Sequence, residues 1–240
     1  TRWCRNVDTI ITDSQATARH YKEKDGLTVT AVGQFVDTKA VVASERTREN
    51  ILFINPSLAK GAAIVAYLAG TLAKTDPNLH FEIVESRGSW RSVVDSVTRT
   101  YGHNPNLSNV TVTKNTTDMR SVYRRAKLIL IPSLWWESFP RVAIEAMMNG
   151  IPALATNRGG LPEIIHDAGK LYSLPEDIYK PPFNRLPSES LLNNIASDIK
   201  ELTANSKKLA HLEEKASARA VHLTKEKSTD KLLQHLAHYW

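Results

Sequence analysis

The sequence predicts a doubly wound α/β sheet of parallel strands, followed by a helical C-terminal tail. Short apolar segments alternate with helix-length segments between residues 51 and 156. Several of the short segments, such as residues 128–131 (LILI), are apolar throughout, which is typical of strands covered by helices on both faces. Beyond Pro187 only helical periodicity remains, to Trp240. Alternation of this kind indicates a buried parallel sheet.

The chain begins with a strand–helix–strand unit. Its strands are predicted at residues 8–12 and 28–32. Ser14 is a suitable N-cap for the intervening helix, and Asp25-Gly26 ends that helix near Lys24. The polar, charged segment at residues 37–50 then predicts a hinge between domains.

The second part of the chain supplies the main sheet. Its strands are predicted at residues 51–54, 81–84, 110–113, 128–131 and 152–156. The helices between them are predicted at residues 61–73, 90–101, 119–125 and 140–149. The predicted parts of the chain are therefore the strand–helix–strand unit at residues 1–40, the main sheet domain at residues 48–187 and the C-terminal helices at residues 188–240.

Composition excludes several classes of protein. With 42% hydrophobic and 23% charged residues among 240, the chain is neither disordered nor fibrous. The longest apolar stretch, residues 128–136, is shorter than the about 20 residues of a membrane span. A single cysteine, Cys4, excludes an internal disulfide, and the histidines lack metal-binding spacing, so no metal site is predicted. The net charge of +6 is compatible with an anionic ligand, an anionic membrane surface or nucleic acid, and does not decide among them.

Ligands of parallel sheets bind beyond the carboxyl ends of the strands. At one strand-to-helix junction, Lys60 lies just before a predicted helix and Gly61 lets the backbone come close to a ligand. An ammonium group and a helix N-terminus together suit a phosphate. Because Lys-Gly pairs are common at such joints, a purely structural role is the favoured interpretation of this pair alone.

A second junction carries two carboxylates. Pro140 suits the first turn of a helix, which leaves the N–H groups of Arg141 and Val142 free to hold a diphosphate. Glu137 lies near the positive end of that helix, where a carboxylate is favoured even without a ligand. Glu145 lies in an apolar stretch and needs a partner. That partner is either a core cation or the hydroxyls of a ribose.

These motifs resemble the donor half of a retaining GT-B glycosyltransferase, most closely glycosyltransferase family 4. The resemblance consists of five features in order. They are Tyr123 with Arg125-Ala126, Pro132-Ser133, Glu137-x7-Glu145, Gly-x-Pro at residues 150–152 and Gly-Gly-x-Pro-Glu at residues 159–163. Lys60-Gly61 falls where this family keeps its phosphate-binding lysine. Asn55 stands where the family usually has an arginine, for which Arg87 or Arg158 are the candidate substitutes.

The resemblance implies roles for individual residues. Glu137 contacts hydroxyls of the transferred sugar and Lys60 neutralises the departing phosphate, so both are catalytic. Glu145 holds the ribose of the nucleotide. The other implied donor-binding residues, which surround the diphosphate or the base, are Asn55, Gly61, Thr113, Asn115, Ser138, Phe139, Arg141 and Val142.

The implied reaction moves a sugar from a nucleotide-diphosphate sugar to an acceptor hydroxyl with retention, without a metal or other cofactor. UDP, GDP, TDP and ADP are the candidate nucleotides. The expected acceptor is a glycan or a lipid-linked glycan, as in polysaccharide biosynthesis, and no nucleic acid is expected as a partner. A cytoplasmic protein, with peripheral membrane contact as an option, is expected from the lack of a signal, a disulfide or a membrane span.

Two alternatives stay open. One is a GT-B relative with other chemistry, an epimerase or a phosphorylase. The other is a donor-binding scaffold that has lost catalysis, because Asn55 replaces a cation. The resemblance also implies that residues 1–40 are the remnant of an acceptor domain that otherwise lies outside this chain, so that the chain alone is inactive. The C-terminal helices would pack back on that domain through Leu232, Leu233, Leu236 and Trp240. The alternative is that they pack only on their own domain.

The Trp135-Trp136 pair has two interpretations. Exposed tryptophans can form a platform for a sugar ring or a membrane. Bulky aromatic residues in loops more often brace a site by packing.

Overall fold

The computed structural model describes residue 4, residues 6–102 and residues 105–239. Its strands are β1 (Ile11–Thr12), β2 (Thr30–Ala31), β3 (Asn50–Ile54), β4 (Phe81–Val84), β5 (Val110–Thr113), β6 (Ala126–Ile131), β7 (Ala153–Thr156) and β8 (Gly169–Tyr172). The helices are α1 (Gln15–Asp25), α2 (Thr38–Val41), α3 (Ala62–Thr75), α4 (Trp90–Tyr101), α5 (Arg120–Arg125), α6 (Arg141–Met148), α7 (Leu161–Ile165), α8 (Glu189–Ala204), α9 (Ser206–Ala220) and α10 (Lys225–Leu236).

Six parallel strands form the main sheet in the order β5-β4-β3-β6-β7-β8. This is the doubly wound order, in which the chain runs outward from the centre in one direction and then in the other. β1 and β2 pair in parallel as a separate two-stranded sheet. The predicted α/β fold is confirmed.

The apolar strands supply both faces of the main sheet. In β6, Leu128 and Leu130 belong to the core on the α3, α4 and α8 side, whereas Ile129 and Ile131 belong to the core on the α5, α6 and α7 side. Successive side chains of a strand point to opposite faces. An uninterrupted apolar run is therefore what a strand buried on both faces requires.

Local signals place several element ends. The Ser14 hydroxyl accepts a hydrogen bond from the Thr17 N–H and starts α1, and Gly26, at φ 68°, ends it. The predicted bounds of β4, α4 and β5 agree with the structure. The observed strands β1 and β2 are shorter than the predicted strands at residues 8–12 and 28–32, because they pair only with each other, over two residues each.

The sequence prediction omitted three elements. A short helix, α2, lies inside the predicted hinge. α7 spans five residues, too few to display a helical period. β8 lies at the edge of the sheet and is mostly half-buried, so its sequence, GKLY, lacks the apolar run of the central strands.

The last helix contacts the first forty residues. Ser228 Oγ on α10 donates a hydrogen bond to the Gln34 carbonyl at 2.7 Å, and Tyr239 Oη donates to the Asp8 carbonyl at 3.2 Å. Leu233 is 60% exposed, and Trp240 lies outside the described residues. That residues 1–40 belong to an acceptor domain stays a prediction.

No helix in the described ranges is long and apolar enough to cross a bilayer.

A buried carboxylate joins the strands on one side of the sheet. Arg125 donates to Glu82 on β4 through Nη2 at 2.5 Å and Nε at 3.1 Å. Thr113 Oγ1 and Asn50 Nδ2 also donate to Glu82, at 2.8 and 2.9 Å. Burial by itself raises the pKa of Glu82, but these hydrogen bonds outweigh it and hold the pKa below its ordinary value.

This network predicts a pH-dependent stability. Because the pKa of Glu82 is lower in the folded state, its carboxylate stabilises the fold above the ordinary pKa of 4.5, and that stabilisation is lost as the pH falls. Wild type should therefore exceed Glu82→Gln in free energy of unfolding near neutral pH, and the gap should narrow in acid. Denaturant titrations between about pH 7 and about pH 3 measure it. If the free energy of unfolding changed with pH in parallel for wild type and Glu82→Gln, the prediction would be contradicted. Glu23→Gln, at an exposed site on α1, is the control.

Candidate functional site

The centre of the sheet opens into a crevice. β3 and β6 are neighbours, but the helices that follow them lead to opposite sides of the sheet, so the loops after these strands diverge. A cavity of about 210 Å³ lies at this point. Its lining residues are Phe53, Ile54, Asn55, Lys60, Ile129, Leu130, Ile131, Ser133, Glu137, Pro140, Arg141 and Val142.

Two backbone contacts hold the loops after β3 and β6 together. Gly61 has φ +78°, and a Cβ there would lie 1.9 Å from the Pro132 carbonyl oxygen. The N–H groups of Leu134 and Trp135 both donate to the Ala59 carbonyl at 2.9 Å. Only glycine, which has no Cβ, allows the backbone of residue 61 to lie this close to the Pro132 carbonyl. The contact brings Lys60 against the loop that carries Glu137.

Lys60 and Glu137 form the polar centre of the cavity. Lys60 Nζ donates to Glu137 Oε1 at 2.5 Å, and Ser133 Oγ donates to the same oxygen at 2.6 Å. Glu137 is 7% exposed and Ser133 is fully buried. The Ser133 carbonyl in turn accepts a hydrogen bond from Thr156 Oγ1 on β7 at 2.7 Å. The loops after β3 and β6 and the end of β7 therefore hold the Glu137 carboxylate in place.

The predicted glycine pair supports the backbone of Glu137. Gly160 N–H donates to the Glu137 carbonyl at 2.7 Å. Gly159 has φ +58°, and a Cβ there would lie 2.0 Å from the Glu137 carbonyl oxygen. A Cβ on Gly160 would lie 2.0 Å from the Ser138 carbonyl oxygen. The loop after β7 thus determines where Glu137 stands.

The N-terminus of α6 faces the cavity. α6 begins at Arg141, one residue later than predicted, and Pro140 is its N-cap, with a carbonyl that accepts from Ala143 N–H at 3.0 Å. Among the described side chains none caps this end. Pro140, Arg141 and Val142 line the cavity. The first turn of α6 is therefore placed to donate backbone hydrogen bonds to an anion.

Ser138 and Phe139 face a different part of the chain. Ser138 Oγ donates to Asp13 Oδ2 at 2.8 Å, and the Phe139 carbonyl accepts from Gln34 Nε2 at 2.7 Å. Both partners belong to the first forty residues. Neither Ser138 nor Phe139 lines the cavity, so the structure does not bring these two predicted residues to Lys60.

Glu145 is buried and has two partners. Tyr123 Oη donates to Oε2 and Arg141 Nε donates to Oε1, both at 2.5 Å. Burial, followed by the neighbouring carboxylate, raises the pKa of Tyr123 well above its ordinary value, so the phenol stays protonated and donates. Of the alternatives considered for Glu145, the ion pair is present in the structure. The Arg141 side chain is 65% exposed, so the arginine of this ion pair is open to solvent, whereas the Glu145 side chain is buried.

Asn55 lines the cavity beside Lys60. Its backbone has φ +63°, and its N–H donates to the Val84 carbonyl at 2.9 Å. Its side-chain Oδ1 is buried and has no hydrogen-bond partner in the described part of the chain. An acceptor atom left unpaired beside a cavity is available to a ligand hydroxyl or N–H group. The two candidate substitute cations, Arg87 and Arg158, do not line the cavity.

The residues predicted to read the base lie away from the cavity. Thr113 ends β5 at the edge of the sheet, and its hydroxyl donates to Glu82. Its carbonyl accepts from Glu85 N–H at 2.9 Å, and Asn115 is exposed. Sequence reasoning assigned no role to Ser133 and Tyr123, the partners of the two glutamates, although both belong to the quoted motif. No group of three or more potential metal ligands occurs among the residues that the structure describes.

Comparisons with known proteins agree with this architecture. Residues 38–178 match the family described as "Glycosyl transferases group 1". A D-inositol 3-phosphate glycosyltransferase of Corynebacterium kroppenstedtii is 50% identical over 50 residues, which are 21% of this chain and 11% of that protein. The match to this relative is therefore confined to a short segment.

Two solved structures match nearly the whole chain. The pneumococcal O-GlcNAc transferase GtfA, in complex with UDP and GlcNAc, has a TM-score of 0.75 at 15% identity and covers 97% of this chain. The Anabaena protein HepE, in complex with UDP-glucose, has a TM-score of 0.73 at 19% identity and covers 96%. This chain spans 45% and 64% of those two chains. The likeness confirms the fold as that of the C-terminal, Rossmann-like half of GT-B glycosyltransferases.

Proposed function

Because the chain belongs to the glycosyl transferases group 1 family, we propose that it carries the donor site of a nucleotide-sugar-dependent glycosyltransferase. The observation that carries this proposal is the Lys60–Glu137 pair in a cavity between β3 and β6. A cation, a carboxylate and a helix N-terminus meet there, which are the groups that a sugar diphosphate needs. The sugar moves from the nucleotide diphosphate to an acceptor hydroxyl.

The phosphate side of the proposed site consists of Lys60 and the first turn of α6. The ammonium group and the N–H groups of Arg141 and Val142 stabilise the negative charge that develops as the sugar–phosphate bond breaks. Lys60 already pairs with Glu137, so an arriving phosphate either shares the ammonium group with Glu137 or replaces Glu137 as its partner. The carboxylate released in this way accepts hydroxyls of the transferred sugar.

Glu145 is proposed to hold the ribose. Tyr123 keeps one carboxylate oxygen oriented from the buried side, at 2.5 Å. Arg141 occupies the other oxygen, but exposed ion pairs contribute only about 0–1 kcal/mol, so ribose hydroxyls can displace its side chain. Glu145 lies four residues, about one helical turn, after the start of α6, so a single nucleotide diphosphate can contact both the N-terminus of this helix and Glu145.

Retention at the anomeric carbon and membership of family 4 form part of the proposal. Glu137 is the one carboxylate among the described residues that line the cavity, and both Lys60 and Ser133 hold it. In the proposed reaction the bond from the anomeric carbon to the phosphate oxygen breaks, and the acceptor oxygen attacks from the same face. The departing phosphate takes the hydroxyl proton. The proposed donor site needs no metal.

The acceptor is proposed to approach from the side of residues 1–40. Asp13 and Gln34 of this unit contact the Ser138-Phe139 segment, which adjoins Glu137. The Glu163 carboxylate also accepts the first N–H groups of α1, from Gln15 and Ala16, at 3.2 Å. We assign residues 1–40 to an acceptor domain of a longer protein on these contacts and on the resemblance.

Calorimetric titration of the chain with UDP, GDP, TDP and ADP tests the proposal. UDP comes first, because the structures of GtfA and HepE contain UDP or UDP-glucose. We expect one nucleotide to bind and Glu145→Ala to weaken it at least tenfold, about 1.4 kcal/mol, since the ribose hydroxyls lose their acceptor. Glu214→Ala, at an exposed site on α9, is the matched control. Absence of binding to all four nucleotides, or equal binding by Glu145→Ala, would refute the donor site.

A further inference from the structure

A stack of four side chains borders the candidate site. The guanidinium carbon of Arg158 lies 3.9 Å from the ring centre of Tyr179 and 5.9 Å from that of Trp136. The ring centre of His20 lies 5.2 Å from that of Trp136. Because His20 belongs to α1 and Arg158 to the loop after β7, the stack joins the first forty residues to the main sheet. Trp136 is therefore a brace.

Trp135 differs from its neighbour in exposure. Its backbone N–H is anchored to the Ala59 carbonyl at 2.9 Å, and its ring meets Phe183 edge-on at 6.4 Å. The residue is nevertheless 57% exposed, the largest exposed fraction among the described tryptophans. An indole whose backbone is anchored and which leaves most of its surface to solvent provides a flat apolar face for a ligand.

We propose that Trp135, supported by Trp136, is a stacking subsite for a hexopyranose ring of the acceptor glycan. A pyranose has an apolar face of C–H groups and a rim of hydroxyls, so it suits an indole face with polar groups at its edge. Arg158, a half-exposed residue whose guanidinium carbon lies 5.9 Å from the Trp136 ring centre, brings a polar group to the neighbouring tryptophan.

The position of the platform favours the acceptor over the donor sugar. Neither tryptophan lines the cavity that holds Lys60, although the pair directly precedes Glu137 in the loop after β6. Trp136, the chain neighbour of Trp135, contacts His20 of the unit from which the acceptor is proposed to approach. This inference rests on the proposed function, since it identifies the substrate class for the same site.

Saturation-transfer NMR on the whole chain tests the subsite with maltohexaose, cellohexaose and chitohexaose as probes. We expect at least one of them to bind, with Trp135→Ala raising its dissociation constant about three- to tenfold. Trp135→Tyr should restore part of the affinity, because a smaller ring remains. Val221→Ala removes an equally exposed apolar residue, 59% exposed, from the end of α9 and should bind like wild type.

Three results would overturn the subsite. One is no binding of any probe, or binding that Trp135→Ala leaves unchanged. Another is displacement of the saccharide by saturating nucleotide, which would place the sugar in the donor cavity. The third is Trp135-dependent binding to phosphatidylglycerol vesicles without saccharide binding, which would make the platform a membrane contact. A chain that binds nucleotide but no saccharide refutes the subsite and retains the donor site, whereas one that binds no nucleotide refutes the proposed function.

Discussion

Lys60→Met is expected to weaken nucleotide binding by roughly 10- to 100-fold. The proposed phosphate contact is a charge-assisted hydrogen bond, for which a net contribution of about 1.5–3 kcal/mol is usual. The same substitution leaves the buried Glu137 carboxylate with only the Ser133 hydroxyl. Because Lys60 is itself 32% exposed, we expect the free energy of unfolding to fall by about 2 kcal/mol, less than for a fully buried pair.

The double variant Lys60→Met/Glu137→Gln separates the two effects. It removes the unpaired charge together with the cation, so the free energy of unfolding should return to within about 1 kcal/mol of wild type. Nucleotide affinity should stay low, since the phosphate ligand is still missing. Denaturant titration measures the first quantity and calorimetry measures the second.

Lys22→Met, at an exposed site on α1, controls for the loss of one positive charge. Wild-type nucleotide affinity in Lys60→Met would show that Lys60 binds no phosphate. An unchanged free energy of unfolding would show that the ion pair does not form in solution. Each half of the prediction can therefore fail separately.

Gly159→Ala is expected to lower the free energy of unfolding by about 3 kcal/mol or more. A residue with a Cβ at φ +58° is strained by about 1–2 kcal/mol. The new Cβ would also lie 2.0 Å from the Glu137 carbonyl oxygen, so one of the two loops must move. Because that movement displaces Glu137, nucleotide-sugar binding should weaken as well.

Gly26→Ala is the matched control for Gly159→Ala. Gly26 has a similar φ, +68°, but a Cβ there meets nothing within 4 Å. It should lower the free energy of unfolding by only about 1 kcal/mol, which measures the backbone strain alone. Equal losses in the two variants would show that the loop after β7 does not press on Glu137.

Much of the fold could be predicted from the sequence because burial on both faces leaves a legible pattern. β4 and the central run of β6 were predicted, since covered strands are rich in apolar and β-branched residues. The edge strand β5 is partly exposed but was predicted from its alternating Val and Thr residues, which are all β-branched. The edge strand β8 was not, because exposure on one side lets Gly169 and Lys170 interrupt the pattern. The two-residue strands of the first unit were overestimated, since nothing local shows how few partners a strand has.

The sequence by itself determined which residues of the site carry charge and that two strand-to-helix junctions hold them. Only the tertiary structure decided that Lys60 and Glu137, 77 residues apart, form one ion pair, and that Tyr123 and Arg141 share Glu145. It also placed Thr113, Ser138 and Phe139 outside the cavity. The physical reason is that local residue types set strand and helix propensity, whereas close backbone contacts at Gly61 and Gly159 between distant loops set which side chains meet.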